Sequence, residues 1–251
     1  MRFVRFESDG VVRYGLLEGR AVVPLAGRPW DGAAPAGEAV PLERVRLVAP
    51  CEPSKIVAVG RNYPAHAAEL GNEVPTSPII FLKPSTAVIG PGQAIVYPPI
   101  SRNVHHEAEL AVIIGRRARR IAPQEAAGHI WGYTCANDVT ARDLQRLDGQ
   151  WTRGKGFDTF CPLGPWVDTA IDPAAVEVIC RVNGQVRQRG HSRDMVFDVA
   201  TLVSFIAEVM TLEPGDVVLT GTPEGVGPIV PGDTVEVEVS GLGLLANPVV
   251  A

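Results

Sequence analysis

A pair of glutamates at the entrance to an apolar strand constrains this chain more than any other feature. Glu107 and Glu109 lie in the segment RNVHHEAELAVIIG, where alternation followed by an apolar run predicts a β-strand that enters a core. Side chains alternate along a strand, so both carboxylates are expected on one face. Because burying unpaired carboxylates is unfavourable, the pattern favours a bound divalent cation: Mg²⁺, or alternatively Mn²⁺ or Ca²⁺. A solvated strand end with two exposed glutamates is the other interpretation that this motif allows.

The two histidines before this pair, His105 and His106, invite an interpretation as further metal ligands. The alternation places His106 on the face opposite the two glutamates, so we expect it to be structural. The role of His105 stays open at this point.

The composition excludes several classes of protein. A length of 251 residues allows one large or two smaller domains, and the formal net charge of −5 argues against general nucleic-acid binding. No apolar run is long enough to cross a bilayer, and the N-terminal segment alternates like a strand and lacks the apolar region of a signal peptide. Four scattered cysteines without a C-x-x-C pair are expected to be reduced thiols in a cytoplasmic protein: Cys51, Cys135, Cys161 and Cys180.

Strand patterns dominate the chain from its first residue. Two short strand patterns before Pro50, the second turning at Glu18-Gly19, predict a small N-terminal β domain over residues 1–50. A loop rich in glycine, proline and alanine is expected from about Gly27 to Pro41. The main domain, residues 51–251, begins with the apolar strand KIVAVG.

Helices are predicted at only three places. They are the segment AHAAELG, the segment ARDLQRL with Thr140 as its N-cap, and the apolar-striped segment FDVATLVSFIAEVM. Strands outnumber these helices too heavily for a regular β-α-β winding. The predicted fold class is therefore mostly β with a few covering helices.

The first polar segment that suggests catalysis is GRNYPAHAAEL. His66 and Glu69 are three residues apart, so on a helix they share a face. A carboxylate raises the basicity of a histidine and fixes its tautomer, which is what a general base needs. A surface ion pair between positions i and i+3 is the alternative.

A third carboxylate, Asp138, stands where a predicted strand meets a helix in CANDVTARDLQ. It is either the N-cap of that helix or a third ligand of the same ion. Arg142 and Gln145 follow on one helical face and are suited to bind an anionic or carbonyl-bearing substrate.

Four further residues complete the predicted site. Lys155 lies between two glycines, which would let the backbone approach a ligand; near a metal its pKa is expected to be depressed, and it would stabilise a developing enolate. A solvated loop lysine is the alternative. Lys83, Arg61 and Thr222 are expected to join Arg142 and Gln145 in an anion-binding wall, although Lys83 would alternatively pair with a structural carboxylate. The segment GTPEGVGP lacks the Lys-Ser/Thr of a P-loop and no helix follows it, which makes a nucleotide site a poor interpretation.

Taken together, these motifs resemble the fumarylacetoacetate hydrolase family, in its short branch. The matching segments cover most of positions 56–240, and their combination is specific although each motif alone is not. They are VGRNYPAH, FLKPST, RNVHHEAELAVIIG, GYTCANDVTARDLQ, the Trp151–Phe157 segment and GDVVLTGTPEGVGP.

The resemblance implies a mixed β-sandwich roll with a small N-terminal β domain, and a homodimer. It also implies Mg²⁺ or a similar ion on Glu107, Glu109 and Asp138. His66 with Glu69 would be the base dyad, and Lys155 their electrostatic partner.

The chemistry expected of such a site acts on a 2-oxo acid. Hydrolysis of acylpyruvate-type 2,4-diketo acids, with release of pyruvate, is the first expectation. The alternatives are isomerisation of 2-hydroxyhepta-2,4-diene-1,7-dioate in aromatic breakdown and decarboxylation of oxaloacetate. A non-catalytic metal- or ligand-binding protein on the same fold belongs to another class, and retention of the dyad, the lysine and three carboxylates argues against it.

Overall fold

A computed structural model describes residues 1–251, and most of its regular structure is β-strand. The predicted class, mostly β with a few helices, is confirmed. The strands are β1 Arg2–Ser8, β2 Val11–Glu18, β3 Ala21–Pro24, β4 Val40–Pro41, β5 Arg46–Val48, β6 Ile56–Gly60, β7 Ile79–Lys83, β8 Val88–Ile89, β9 Ile95–Val96, β10 Val104–His106, β11 Ala108–Ile114, β12 Ile130–Asn137, β13 Thr140–Ala141, β14 Cys161–Asp168, β15 Glu177–Val182, β16 Gln185–His191, β17 Val217–Leu219, β18 Gly227–Ile229, β19 Thr234–Val239 and β20 Gly243–Val250.

Four short α-helices connect these strands: α1 Pro64–Glu69, α2 Arg142–Asp148, α3 Thr152–Lys155 and α4 Val199–Val209. Short 3-10 helices occupy Pro29–Asp31, Leu42–Arg44, Ser85–Ala87, Pro123–Gly128 and Ser192–Asp194. All three predicted helices begin and end within two residues of their expected positions. Only the cap of α2 differs, because its N-cap residue is Ala141, which makes no side-chain hydrogen bond to the helix. The expected cap by Thr140 is wrong because its hydroxyl donates to the Asp138 carbonyl within a strand connection.

The strands form three sheets. A 12-stranded sheet has the order β4-β3-β2-β1-β14-β12-β11-β17-β6-β7, with β5 paired to β1 and β8 paired to β14. A 5-stranded sheet has the order β16-β15-β19-β20-β9, and a 3-stranded sheet has the order β13-β10-β18. Strand β1 pairs with β14, so the N-terminal strands extend the main sheet. The division of the chain at residue 50 stays a prediction.

The core lies on both faces of the central strand β11. Leu110, Val112 and Ile114 belong to the larger apolar cluster, which β15, β19, β20 and α4 also line. Ala111 and Ile113 belong to a second cluster shared with β6, β14 and β17. Every residue of β11 is buried, which explains why its sequence becomes continuously apolar after Glu109.

Two simpler expectations concern the membrane and the cysteines. No helix is long and apolar enough to cross a membrane. All four cysteines are buried and unpaired, as the scattered spacing predicted.

Candidate active site

Sheet register brings three carboxylates together at one end of β11 and β12. The predicted single strand is interrupted at Glu107: β10, before this residue, lies in the 3-stranded sheet, and β11, after it, lies in the 12-stranded sheet. Across the antiparallel pair, Glu109 faces Ala136 and Ala108 faces Asn137, and the Asp138 N–H donates to the Glu107 carbonyl over 2.8 Å. Asp138 therefore lies opposite Glu107, on the face that also carries Glu109. One oxygen from each carboxylate lies within 4.8 Å of the others, and all three residues are buried.

Three cations surround two of these carboxylates. Lys155 Nζ donates to Glu107 over 2.6 Å and to Asp138 over 2.5 Å. Arg142 forms a second buried ion pair with Glu107, and Lys83 forms one with Asp138 over 2.7 Å. Burial alone would raise the Glu107 pKa, but Lys155 and Arg142 outweigh it and hold that pKa below its ordinary value.

Glu109 lacks such a cationic partner. The only hydrogen bond to its carboxylate comes from the Gly221 N–H, over 2.7 Å. Burial, followed by the neighbouring charges of Asp138 and Glu107, raises the pKa of Glu109 well above its ordinary value. This side chain is the least satisfied charge in the cluster.

The donor set fits a hard divalent ion. Oxygens that share one octahedral shell lie about 3–5 Å apart, which matches the spacing of the three carboxylates. All the donors are carboxylates, which suit Mg²⁺, Mn²⁺ or Ca²⁺ better than softer metals. A cation here would also neutralise Glu109. The three residues could therefore hold a divalent metal.

The predicted dyad opens onto the same cavity. His66 Nδ1 lies 2.7 Å from Glu69 Oε1 on helix α1, and the histidine is 5 % exposed. A carboxylate can only accept, so Nδ1 carries the proton and Nε2 is left as the basic atom. The other Glu69 oxygen accepts the Gly225 N–H over 2.9 Å. His66 thus has a fixed ring orientation, as a base would need; its role stays a prediction.

The glycine-rich loop after β17 contributes backbone donors. Its Gly221 N–H binds Glu109 and its Gly225 N–H binds Glu69. Both glycines have positive φ, 98° and 93°, and a Cβ on Gly221 would approach Asn62 to 2.7 Å. The sequence pattern excluded a P-loop but missed this function. A glycine spacing that fits no phosphate motif, directly after a buried strand, was the available signal.

Helix α3 delivers Lys155 by packing against α2. A Cβ on Gly154 would come within 2.9 Å of the Gln145 backbone, so the glycine permits helix contact rather than approach of a ligand. Burial alone would lower the pKa of Lys155, but Asp138 and Glu107 outweigh it and raise that pKa. This direction belongs to the cluster of charges without a metal; the depression of the pKa expected beside a metal stays a prediction.

The residues predicted to bind substrate divide into two groups. Arg61, Arg142, Gln145 and Thr222 line the cavity, which has a volume of about 350 Å³. Lys83 lies behind the cavity wall and donates to Asp138 and to the carbonyls of Val139 and Lys155, as in the alternative that paired it with a carboxylate.

Within the first group, Arg142 also donates to Gln145 over 2.7 Å. The Thr222 hydroxyl donates to the Ala108 carbonyl and accepts from Gln188. A role for Thr222 toward substrate would therefore fall to its backbone.

The two histidines beside the cluster face other partners. His106 Nδ1 bonds to Gln188 over 2.9 Å, and His105 Nε2 bonds to Asn103 over the same distance. Burial, with a smaller effect of Arg142, lowers the pKa of His105 to about 4. Neither ring belongs to the group of side chains that could hold the metal.

The cavity-lining residues that the sequence analysis missed include Phe81, Trp151 and Arg146. Phe81 and Trp151 form an edge-to-face pair with ring centroids 5.1 Å apart, and Arg146 lies one helical turn beyond Arg142. The pattern of α2 held the signal for Arg146, because positions i and i+4 share a helical face.

Known proteins share both the sequence and the fold. Residues 55–250 match the profile of the fumarylacetoacetate (FAA) hydrolase C-terminal family, and residues 1–50 match that of the Rv2993c-like N-terminal family. The crystal structure of 5-carboxymethyl-2-hydroxymuconate delta-isomerase from Mycobacterium smegmatis is 50% identical, with a TM-score of 0.94 over 100% of this chain and 99% of that chain.

Two curated relatives act on a smaller acid, to judge from their names. Human mitochondrial oxaloacetate tautomerase FAHD2A is 42% identical, over 94% of this chain and 78% of its own length. The mitochondrial oxaloacetate decarboxylase of Dictyostelium discoideum is 45% identical, over 75% of this chain and 89% of its own length. With a family profile that spans most of the chain and relatives that are enzymes, this protein belongs to the fumarylacetoacetate hydrolase family.

Proposed function

We propose that this protein is a divalent-metal-dependent enzyme that moves a proton beside the carbonyl of a 2-oxo acid, and so isomerises an unsaturated 2-hydroxy or 2-oxo acid. The observation that carries the proposal is that His66, held by Glu69, opens onto the same cavity as three converging carboxylates. A base and a cation-binding cluster on one cavity are what enolisation requires.

The dyad would handle the proton. From a dienol, His66 Nε2 would accept the 2-hydroxyl proton and return it to carbon 3 or carbon 5. From a 2-oxo acid with a saturated carbon 3, it would take the proton from that carbon. Glu69 would stabilise the imidazolium that forms, because its carboxylate already accepts the Nδ1–H. A divalent ion held by Glu107, Glu109 and Asp138 would supply polarisation of the 2-oxo group and of the carboxylate beside it.

Two cationic side chains would orient the reacting end of the substrate. Arg142 is held between Glu107 and Gln145, and its Nε is buried without a partner. The Lys155 ammonium lies on the cavity wall, where it would stabilise negative charge that develops on the enolate oxygen.

The names of the relatives support proton transfer as the shared step. A hydroxymuconate delta-isomerase relocates a double bond, and an oxaloacetate tautomerase interconverts keto and enol forms. Both reactions remove and return a proton next to a 2-oxo group. Oxaloacetate decarboxylation, named for the Dictyostelium relative, also forms a 2-oxo acid enolate, that of pyruvate, but by loss of carbon dioxide instead of a proton.

Hydrolysis of an acylpyruvate is the second candidate. The observation in its favour is the same basic Nε2 of His66, which would activate a water for attack on the 4-carbonyl. Cleavage of the C–C bond would then release pyruvate as its enolate. A purely metal-binding protein would have no use for this dyad, which argues against a non-catalytic function.

Deuterium exchange tests the shared step directly. The protein with Mg²⁺ is incubated with 2-oxobutyrate in D₂O, and proton NMR follows the signal at carbon 3. We expect catalysed exchange that is lost in His66→Ala. Absence of exchange in the unmodified protein would refute the proposal.

A substrate panel then separates the candidates. Ultraviolet absorbance follows 2-hydroxyhepta-2,4-diene-1,7-dioate, and a lactate dehydrogenase assay follows pyruvate release from acetylpyruvate. Loss of the dienol absorbance without pyruvate release supports isomerisation. Pyruvate release as the faster reaction would favour the hydrolase.

A homodimer, which the family resemblance implies, is part of the proposal. A surface depression lined by Val96, Ile100 and Phe157 offers apolar area for such a contact. Light scattering during size-exclusion chromatography would give the mass; a monomer at micromolar concentration would refute this part.

A further inference from the structure

We propose that Arg61 and Arg146, here called the outer arginine pair, form a second anion site at the mouth of the cavity. This site would bind the far carboxylate of a 2-oxo dicarboxylic acid. The inference rests on the proposed function, because the 2-oxo end must lie at the carboxylate cluster.

Both arginines line the cavity, and neither forms an ion pair within the chain. The two acids nearest to Arg146 along the chain are engaged elsewhere. Asp148 forms an ion pair with Arg153, and Asp143 accepts from the Ser101 hydroxyl and the Arg102 N–H. An arginine at a cavity mouth whose neighbouring acids are already paired is available to an anionic ligand.

Arg61 is held in place by its backbone and by Trp151. Its φ of 58° lies in the left-handed region, which is unfavourable for a residue with a Cβ. Its guanidinium lies 6.0 Å from the centroid of the Trp151 ring, and Gly60 packs so closely on this ring that a Cβ would collide with it. The guanidinium of Arg61 therefore lies beside the aromatic side chain that lines the cavity.

The spacing of Arg142 and Arg146 on α2 indicates the length of ligand that would contact both. Arg142 and Arg146 are four residues apart on one helical face, so their backbones are separated by about 6 Å along the axis. Arg142 is 3 % exposed and contacts Glu107, whereas Arg146 is exposed. A ligand that contacts both arginines would therefore span about one helical turn, from the buried residue to the exposed one.

An aromatic wall separates the two charged ends. Phe81 and Trp151 line the cavity and pack edge to face, and Lys155 Nζ lies 5.1 Å from the Phe81 ring centroid. Such a wall suits an apolar or conjugated carbon chain. In a four-carbon 2-oxo diacid a single methylene separates the carbonyl from the far carboxylate, whereas a six- or seven-carbon chain has three or four carbons there. The geometry favours the longer diacids.

Matched ligands isolate the far carboxylate. Isothermal titration calorimetry in Mg²⁺ buffer compares 2-oxoadipate with 2-oxohexanoate, which differ only in that group. The shorter pair, 2-oxoglutarate and 2-oxopentanoate, tests the length. The variants are Arg146→Gln, Arg61→Asn, since asparagine tolerates the left-handed backbone, and their combination. Arg116→Gln, at an exposed arginine outside the cavity and without an ion pair, is the control.

The unmodified protein should bind 2-oxoadipate about tenfold more tightly than 2-oxohexanoate, as a charge-assisted hydrogen bond predicts. The preference should be smaller for the shorter pair. It should weaken in each single variant and vanish in the combination, while 2-oxohexanoate affinity stays unchanged. Arg116→Gln should keep the full preference.

Two results would overturn the inference. The first is a preference that survives in the combined variant, and the second is an equal loss of affinity for both ligands. If the unmodified protein binds both ligands equally, only this inference fails and the proposed function stands. If it binds neither, the proposed function fails as well.

Discussion

The two ends of the short strand β17 hold two buried carboxylates in opposite ways. At its start, Asp216 is 0% exposed and accepts from the Ser54 N–H and hydroxyl over 3.0 and 2.6 Å, from the Lys55 N–H and ammonium, and from the Glu213 N–H over 2.8 Å. Beyond its end, the Gly221 N–H is the single donor to Glu109, which is 1% exposed.

Asp216 and Glu109 are equally buried but differ in their number of hydrogen-bond donors. Burial alone therefore does not distinguish a structural carboxylate from a functional one. Every Asp216 oxygen is satisfied within the protein, so this carboxylate ties the loop before β6 to β17. Glu109 is left with unused acceptor sites that face a cavity with two other carboxylates. Buried carboxylates without enough donors indicate a missing ligand, whereas saturated ones indicate architecture.

The largest expected effect is a loss of activity at the cavity near Glu109, with the fold unchanged. His66→Ala should slow proton exchange or hydrolysis by about 10²–10⁴-fold, because the base is lost. Mg²⁺ affinity should stay nearly unchanged, since His66 is not among the proposed ligands. Decarboxylation of oxaloacetate should suffer less, because that reaction needs no base to remove a proton.

Two companion variants sharpen the His66 result. Glu69→Gln should give a milder loss, because an amide accepts the imidazole N–H but does not stabilise the imidazolium. His129→Ala, at a histidine bound to the Arg117 carbonyl, should have no effect on rate. Loss of Mg²⁺ binding in His66→Ala would make His66 a ligand and contradict the three-carboxylate site.

The second prediction concerns Asp216, whose carboxylate oxygens all accept hydrogen bonds within the protein. Asp216→Ala should lower the free energy of unfolding by about 3–5 kcal/mol, because it leaves Lys55 and several N–H groups unpaired. Urea denaturation measures the loss. Asp233→Ala, at a half-buried aspartate that also accepts a backbone N–H but pairs with no cation, is the matched control and should cost far less. An equal cost at both positions would show that the saturation of Asp216 is irrelevant to stability.

The third prediction concerns the binding of a divalent cation to Glu107, Glu109 and Asp138. Mg²⁺ at 100 times its dissociation constant should stabilise the protein by about 2.7 kcal/mol, because it binds only the folded state. Thermal denaturation with and without chelator measures this shift. Asp216→Ala should show the same shift from a lower starting temperature. A shift absent from the unmodified protein with Mg²⁺, Mn²⁺ and Ca²⁺ alike would remove the metal site.

The smallest effect is expected for Glu109→Gln without metal. Removing a buried charge that has a single donor should change the free energy of unfolding by no more than about 1 kcal/mol, and a gain is as consistent as a loss. The same variant should abolish the stabilisation by Mg²⁺. A loss as large as that of Asp216→Ala would erase the contrast between the two ends of β17.

Local pattern predicted the parts of this protein that depend on near neighbours in sequence. Alternation identified the strand after Glu109 and placed Glu107 on its face, and helical spacing placed His66 beside Glu69. Both inferences use periodicities that the backbone imposes on any sequence. The combined motifs also sufficed to identify the family.

Tertiary structure alone decided how distant segments meet at the site. Asp138 joins the two glutamates because the register of β11 and β12 puts it opposite Glu107. The donors to Glu109 and Glu69 come from a loop more than 100 residues away, with separations of 112 and 156 positions. Arg61 and Arg146, 85 positions apart in sequence, line one cavity for the same reason. Sheet order and register depend on packing of the whole chain, and no short-range periodicity encodes them.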